Sequence, residues 1–259
     1  MVSAMDAATP LLGLRRVTRR FGGLTAVDSV SADIRRGELV GLIGPNGAGK
    51  TTLFNLISGV TPPSSGEVAF EGRVITGLRP FEVARLGIGR TFQNLRIFPN
   101  MTVFDNVSVG AIRESGLADA LSARGGAAAQ AIGEVSAAML EKVGLSAYAG
   151  ELAANLSYGK RKMLEIARAL AGRPKLLILD EPAAGLNDTE TVALARFIER
   201  LRDEGTTILL VEHDMGLVMR VSSRVIVLAF GRKIADAEPA AARRDPAVLD
   251  AYLGTGDDE

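Results

Sequence analysis

Runs of consecutive apolar residues recur along the chain, and each is followed by a polar or glycine-rich segment. Those with the length of strands buried on both faces lie at 38–43, 176–180 and 206–211, and a further strand is predicted at 88–92. Helical patterns follow several of them, as in the apolar stripe of Met163, Ile166, Ala167 and Leu170. Strands that alternate with helices predict a parallel sheet, an α/β fold, and chemistry at the carboxyl ends of the strands.

Other segments depart from this alternation. Strands are predicted at 11–17 and 29–34, and hairpins at 67–75 and at 224–234, which predicts an antiparallel β subdomain beside the parallel sheet. From 94 to 156 the pattern is helical, with a hydroxyl cap at Thr102 and a helix at 131–143 that ends at Gly144. Residues 111–130 are rich in Ala, Gly and Ser, and they predict a mobile or poorly packed connection. A helical block within an α/β pattern predicts an inserted α-helical subdomain.

Composition narrows the class of protein. A length of 259 residues fits one large domain or a domain with an inserted subdomain. Lys+Arg and Asp+Glu both number 30, and this zero net charge argues against a nucleic-acid partner. The absence of Cys is compatible with a reducing cytosol, and the mean hydropathy of +0.19 suits a buried sheet. No apolar run reaches the roughly 18 residues of a transmembrane helix, and no signal peptide is predicted.

The segment from Gly44 to Thr52 carries the strongest chemical signal. It matches the phosphate-binding pattern G-x-x-x-x-G-K-[ST], and it lies between a predicted strand and a helix predicted at 50–58. Glycines let backbone N–H groups curl around a polyphosphate, Lys50 supplies a cation to the β- and γ-phosphates, and the Thr51 hydroxyl binds Mg²⁺. The predicted triphosphate-binding loop consists of Gly44, Pro45, Asn46, Gly47, Ala48, Gly49, Lys50, Thr51 and Thr52.

Polar residues at the ends of the predicted strands are candidates for the hydrolytic step. Asp180 ends an apolar strand, where its carboxylate can hold Mg²⁺, and Glu181 can polarise a water for attack on the γ-phosphate. Gln93 can bind Mg²⁺ or orient water, and His213, the one histidine of the chain, can contact the γ-phosphate. The alternatives are an acidic pair that caps a turn and a structural histidine.

Upstream of the loop, Phe21 has two interpretations: a stacking platform for adenine, or an aromatic of an edge-strand core.

The peptide Leu156-Ser157-Tyr158-Gly159-Lys160 resembles the LSGGQ signature of ATP-binding cassette (ABC) ATPases, with departures at Tyr158 and Lys160. The resemblance extends over nearly the whole chain. It implies an adenine-stacking role for Phe21 and an ATP contact at Val27, and it assigns Gln93 to the Q-loop and Asp180 to the Walker B strand. It also makes Glu181 the catalytic glutamate and His213 the switch histidine. Ala184-Gly185-Leu186-Asn187 resembles the D-loop, where Asn187 replaces the commoner Asp.

Several peptides resemble one subfamily, the ATP-binding subunits of branched-chain amino-acid importers. They are Arg90-Thr91-Phe92-Gln93-Asn94, Leu156-Ser157-Tyr158-Gly159, Glu181-Pro182-Ala183-Ala184-Gly185-Leu186-Asn187, Glu212-His213-Asp214-Met215 and Ala251-Tyr252-Leu253-Gly254. Related importers of urea, short amides or other small polar solutes share these peptides, and the ATPases of lipid or lipopolysaccharide exporters would share every catalytic motif. Soluble regulatory ABC ATPases usually carry two cassettes or a long coiled-coil insertion, and small GTPases need an Asn-Lys-x-Asp motif that is absent from the sequence.

The resemblance implies a P-loop NTPase fold with a RecA-like parallel core, and an ATPase that uses ATP and Mg²⁺. The expected divisions are a disordered lead at 1–9, a first core part at 10–93, a helical subdomain at 94–165, a second core part at 166–240 and a tail at 241–259. Residues Leu156 to Lys160 would complete the ATP site of a second subunit, either a paralogue or another copy. The other implied partners are permease subunits and, indirectly, a solute-binding protein, which places the chain peripherally on the cytoplasmic face of the cell membrane.

Overall fold

The computed structural model describes residues 9–115 and 126–253. They form two compact units: one combines the segments up to Leu86 and from Ile198, and the other is Gly87–Phe197. The named elements, in chain order, are β1 (Leu12–Phe21), β2 (Leu24–Ile34), β3 (Leu39–Ile43), α1 (Lys50–Ile57), β4 (Ser65–Phe70), β5 (Arg73–Val74), α2 (Pro80–Leu86), β6 (Ile88–Arg90), α3 (Val103–Ser115), α4 (Ala127–Lys142), α5 (Tyr158–Ala171), β7 (Leu176–Asp180), α6 (Asp188–Asp203), β8 (Thr207–Val211), α7 (Met215–Val221), β9 (Arg224–Ala229), β10 (Arg232–Ala237), α8 (Pro239–Ala242) and α9 (Pro246–Leu253).

The first unit contains an antiparallel sheet and a set of parallel strands. The antiparallel sheet has the strand order β2-β1-β4-β5. In the parallel set, β3 lies between β8 and β9, and β10 pairs antiparallel with β9. Every residue of β3 and β8 is buried, as expected for strands covered on both faces. At Gly41 of β3, a Cβ atom would lie 2.5 Å from Val218 Cγ1, so the glycine lets α7 pack closely on the strand.

The second unit combines a parallel strand pair with a helical block. Strand β6 pairs in parallel with β7, whose five residues are all buried. Helix α3 packs against α4 and α5. Leu140 of α4 and Leu164 of α5 are almost completely buried, and the hydroxyls of Ser108 and Ser136 meet at 3.0 Å between α3 and α4. Burial of these apolar side chains holds the block together.

Most of the predicted elements are present, and the main errors concern boundaries. Residues 111–115 and 127–130 are helical, so the weakly patterned segment is shorter than predicted, and 116–125 lie outside the described residues. Alanine-rich helix propensity outweighs the poor apolar patterning there. Strand β6 ends at Arg90, two residues before the predicted end, and neither α7 nor α8 was predicted. The predicted disordered lead lies almost entirely outside the described residues. No described helix is both long and apolar enough to cross a membrane.

Candidate functional site

The phosphate-binding loop connects β3 to α1 and takes its shape from glycines. Gly44 has φ 150°, and a Cβ there would lie 2.1 Å from the carbonyl oxygen of Leu228. Gly49 has φ 99° and begins α1, and a Cβ there would lie 2.4 Å from the carbonyl oxygen of Ala26. Any other residue at either position would therefore clash with backbone as well as strain the chain. Within the described residues, no side chain caps the N-terminus of α1, so its backbone N–H groups can bind an anion.

Lys50 lies inside the curve of this loop. Its Nζ donates to the carbonyl oxygens of Gly44 at 2.5 Å and Pro45 at 2.9 Å, and the residue is only 7% exposed. Asn46 and Gly47 form the exposed crest, Ala48 is buried, and Thr51 is exposed in the first turn of α1. The ammonium group is thus held at the position where it can exchange carbonyl oxygens for phosphate oxygens. Thr52 is half-buried in the same turn.

Two predicted nucleotide contacts lie on the antiparallel sheet. Phe21 ends β1, is 47% exposed, and has the Arg19 guanidinium 4.5 Å from the centre of its ring. The arginine covers part of the ring, and the exposed remainder can stack on a base. Val27 of β2 is completely buried, and its Cγ2 would lie 3.5 Å from a Cβ on Gly49, so it supports the loop from beneath.

Phe21→Ala should weaken ATP binding about 5- to 100-fold, because base–aromatic stacking contributes about 1–3 kcal/mol. The measurement is the Kd of a fluorescent ATP analogue. Leu24→Ala is the matched control, since Leu24 is the cross-strand partner of Phe21 and is 67% exposed. An unchanged Kd in Phe21→Ala would favour the interpretation of Phe21 as an edge-strand core aromatic.

His213 follows β8, and a buried acid precedes it. Glu212 is completely buried, and its Oε2 accepts from the backbone N–H groups of His213 at 3.0 Å and Asp214 at 3.3 Å. The same oxygen lies 3.6 Å from His213 Nδ1, and the imidazole is 59% exposed. The carboxylate fixes the turn that presents the ring. We did not predict this role for Glu212; the available signal was an acid that directly follows a buried apolar strand.

The predicted catalytic residues of the second unit contact one another. Glu181 follows β7 and has φ 45°, a left-handed backbone that is uncommon outside glycine and asparagine. Gln93 Nε2 donates to Glu181 Oε2 at 2.9 Å. Asp180 is 4% exposed, and its backbone N–H donates to the Thr91 hydroxyl at 3.1 Å. The carboxylate of Glu181 is therefore positioned both by its strained backbone and by the Gln93 amide.

Lys162 of α5 is a further part of this group that the sequence did not indicate. It is 3% exposed, and its Nζ donates to the carbonyl oxygens of Glu181 at 3.2 Å and Gln93 at 3.4 Å. The buried Lys162 ammonium thus bonds the main chains of Gln93 and Glu181, the same two residues whose side chains are hydrogen-bonded to each other. Burial lowers the pKa of Arg90 to about 10, and the negative charge of Asp180 opposes this lowering. The Arg90 guanidinium is therefore a second cation close enough to the Asp180 carboxylate to interact with it.

The signature peptide lies at the start of α5. Leu156 is buried, and the Ser157 hydroxyl accepts from the Lys160 backbone N–H at 3.4 Å. A Cβ at Gly159 would lie 2.4 Å from Glu190 Oε1, so glycine is required for the approach of that carboxylate.

Each departure from the family pattern has a local structural role. The Tyr158 ring lies against Gly185, where a Cβ would be 2.9 Å from the ring. Lys160 Nζ donates to the Tyr148 hydroxyl at 2.5 Å and lies 3.9 Å from the centre of that ring. Asn187 Oδ1 accepts from Glu190 N–H at 2.9 Å, while Glu190 Oε2 accepts from Asn187 N–H at 3.1 Å. Asn187 and Glu190 thus form a capping box for α6.

The comparisons with known proteins agree with these motifs. Residues 27–184 match the profile of the family "ABC transporter", and residues 232–258 match "Branched-chain amino acid ATP-binding cassette transporter". The chain is 44% identical to the high-affinity branched-chain amino acid transport ATP-binding protein LivG of Salmonella typhimurium, over 95% of this chain and 98% of the relative.

Solved structures give the same result. An ATP-binding cassette of an ABC transporter in its ADP conformation aligns with a TM-score of 0.81 and 32% identity, over 95% of this chain and 99% of that chain. A dimeric ATP-binding cassette in a post-hydrolysis state, bound to ADP and phosphate, aligns with a TM-score of 0.75 and 26% identity, over 88% and 98%. The expected P-loop NTPase fold class is therefore confirmed. The chain belongs to the ABC transporter family and is one of its ATP-binding, ATP-hydrolysing subunits.

Proposed function

We propose that ATP hydrolysis by this chain drives the import of branched-chain or other small amino acids through permease subunits. The observation that carries the proposal is the similarity to LivG over 95% of the chain, together with the match of residues 232–258 to the branched-chain profile. Import of this kind places the chain peripherally on the cytoplasmic face of the cell membrane, with a solute-binding protein as an indirect partner. No nucleic-acid partner is proposed.

The roles proposed for individual residues follow from their contacts. Lys50 and the loop from Gly44 to Thr52 bind the phosphates, Phe21 stacks on adenine, and His213 contacts the γ-phosphate. Glu181 is the general base, assisted by Gln93. Residues Leu156 to Lys160 bind ATP held by a second ATP-binding subunit, either a paralogue or another copy; the solved dimeric cassette supports the pairing of two such subunits.

Magnesium is the metal that the candidate ligands suit. Thr51 offers an exposed hydroxyl, Asp180 a carboxylate and Gln93 an amide oxygen, and these hard oxygen donors are the ones that Mg²⁺ prefers. Among the described residues, no cluster of three or more His, Cys, Asp or Glu could hold a metal by itself. Mg²⁺ bound with ATP needs only one or two protein ligands, because phosphate oxygens and waters complete its shell. When bound, the ion would neutralise charge on the phosphates.

The surface proposed for the permease is a groove in the second unit, with a volume of about 780 Å³. It is lined by Arg90, Phe92, Asn94, Leu95, Arg96, Ile97, Phe98, Val109 and Arg168. Phe98 is 45% exposed and has the Arg168 guanidinium 5.4 Å from the centre of its ring. Exposed aromatic and arginine side chains are enriched at protein–protein interfaces. We propose that a cytoplasmic helix of the permease binds in this groove.

Phe98→Ala should reduce binding to the permease about tenfold or more, because an aromatic side chain that becomes buried at the centre of an interface contributes much of the binding free energy. The fold should persist, since the backbone of Phe98 keeps its bonds to the Asn106 amide at 2.8 and 3.0 Å. The measurement is the yield of permease that co-purifies with the tagged chain. Phe81→Ala is the matched control, because Phe81 is also exposed and also lies beside an arginine. Equal yields from the two variants would contradict the proposed docking surface.

The transport function is tested by co-expression with permease subunits of a branched-chain amino-acid importer and reconstitution of the complex in liposomes. Leucine, isoleucine or valine, presented with the solute-binding protein, should stimulate ATP hydrolysis. Stimulation by urea or a short amide in place of these amino acids would reassign the substrate class. A complex that does not form would contradict the proposal itself.

A further inference from the structure

The C-terminal helix α9 reaches the phosphate-binding loop through one side chain. The Tyr252 hydroxyl donates to the sulfur of Met215 at 3.6 Å, and the backbone N–H of Gly44 lies near enough to the same oxygen to oppose the effect of burial on its pKa. Burial raises the pKa of Tyr252, so the hydroxyl keeps its proton and remains a donor near neutral pH. All three residues belong to the first compact unit.

The two partners of Tyr252 occupy distinct parts of the nucleotide machinery. Gly44 is the first residue of the phosphate-binding loop, and contact with the Leu228 carbonyl leaves it no room for a side chain. Met215 is the first residue of α7, directly after Asp214, whose side chain caps that helix by accepting from Leu217 N–H at 3.1 Å. His213 precedes this cap. The Tyr252 hydroxyl therefore lies between the start of the phosphate-binding loop at Gly44 and the start of α7 at Met215, two residues after His213.

Anchoring of α9 does not require this hydroxyl. Val248 and Ala251 are 2% and 9% exposed, and they bury the inner face of the helix. These apolar contacts attach α9 to the unit by themselves. The hydroxyl adds two directional contacts at the end of the helix, and both are made to segments that act on the nucleotide.

We propose that Tyr252 is a positioning residue that holds the start of the phosphate-binding loop and the His213 segment in a fixed relation. The C-terminal helix thereby takes part in ATP hydrolysis through the loop and α7, without contacting ATP itself. The proposal rests on the functions proposed above for the loop and for His213. It gives a role to Tyr252 that its place in a family-typical peptide did not indicate.

The kinetic test uses the full chain and four variants: Tyr252→Phe, Met215→Leu, the double variant and Leu249→Ala. Tyr252→Phe keeps the ring and removes the hydroxyl together with both of its contacts, and it should lower kcat about three- to tenfold, a loss within the range of weak neutral hydrogen bonds. The KM for ATP and the Tm should stay unchanged. The double variant should be no slower than Tyr252→Phe, because Tyr252→Phe already removes the one contact that Met215→Leu removes. Leu249 lies on α9 with 45% exposure, and Leu249→Ala should behave as the unchanged chain.

An unchanged kcat in Tyr252→Phe would overturn the proposal. The proposal would also be overturned if the double variant lost kcat by the product of the two single-variant losses. A fall in Tm that accounts for the loss of activity would assign Tyr252 a stabilising role only and would also overturn it.

A spectroscopic test separates this inference from the proposed function. The chain has seven methionines, so ¹³C-methyl labelling gives a simple spectrum in which Met215→Leu identifies the Met215 signal. Binding of a non-hydrolysable ATP analogue should shift that signal in the unchanged chain, and Tyr252→Phe should reduce the shift while the analogue still binds. Equal shifts in both proteins would reject the inference alone. Failure of the analogue to bind either protein would reject the proposed nucleotide site.

Discussion

Glu181→Gln should lower the rate of ATP hydrolysis at least about a hundredfold, the usual contribution of a general base, and leave ATP affinity close to its original value. The substitution preserves the shape of the side chain and removes its charge. Its amide oxygen can still accept from Gln93 Nε2, which bonds the Glu181 carboxylate at 2.9 Å. The hydrogen bond from Lys162 Nζ to the main-chain carbonyl oxygen of residue 181 also remains. The loss would therefore come from the missing proton acceptor and not from a displaced loop.

The experiment measures phosphate release and the Kd of a fluorescent ATP analogue for the same preparations. Glu141→Gln removes one carboxylate from an exposed position on α4, and it serves as the charge-matched control. With ATP present, Glu181→Gln should also elute as a dimer in size-exclusion chromatography, because ATP that is bound but not hydrolysed keeps two chains together. Turnover at the original rate would remove Glu181 from the role of base.

The position of Glu181 shows how the fold supports this chemistry. Strand β7 is buried along its whole length and ends at Asp180, so the next residue turns away from the sheet. The left-handed φ of Glu181 costs of order 1–3 kcal/mol, and it persists because the surrounding contacts hold it. Lys162 bonds the carbonyl oxygen of Glu181, and Gln93 bonds its carboxylate. The carboxylate is thereby held before any nucleotide binds, and pre-organisation of this kind reduces the entropic cost of reaction.

The sequence predicted the parts of the fold that follow from local chemistry. The all-apolar runs became β3, β7 and β8, because strands of a parallel sheet are buried on both faces. The Glu71-Gly72 and Phe230-Gly231 pairs became tight turns, because each supplies two residues with positive φ. The two ends of the alanine-rich segment, 111–115 and 127–130, were misjudged, since helix propensity acts where apolar patterning gives no signal.

Contacts between distant positions were not predictable in the same way. In the sequence, Lys162 is one polar residue of a predicted amphipathic helix. In the structure it is buried, and its ammonium bonds the carbonyl oxygens of Gln93 and Glu181 from other segments of the chain. Glu212 and Tyr252 were seen only as members of family-typical peptides. Their partners depend on how strands and helices are placed in space, and a single sequence does not record that placement. The roles of Tyr158, Lys160 and Asn187 were not predictable for the same reason, since their partners Gly185, Tyr148 and Glu190 come close only in the folded chain.

Lys50→Ala should weaken ATP binding about 10²- to 10⁴-fold. The Lys50 ammonium now bonds the carbonyl oxygens of Gly44 and Pro45, and phosphate oxygens would replace them when ATP binds. A charge-assisted hydrogen bond contributes about 1.5–3 kcal/mol, so two of them account for about 3–6 kcal/mol and hence for the expected loss. The measurement is isothermal titration of ATP with Mg²⁺ into the full chain.

Two further variants separate the loss of phosphate contacts from damage to the loop. Lys50→Met keeps most of the buried stem and removes the charge, so it should bind ATP as weakly as Lys50→Ala while keeping a Tm closer to that of the unchanged chain than Lys50→Ala does. Lys50→Arg keeps the charge, but its planar guanidinium is bulkier than the ammonium that fits at 2.5 and 2.9 Å from two carbonyls, so it should also bind weakly. Lys142→Ala, in the last turn of α4, is the control for removal of a lysine elsewhere. If Lys50→Met bound ATP with the original affinity, the loop from Gly44 to Thr52 could not be the phosphate site, because the side chain at the centre of its curve would contribute nothing.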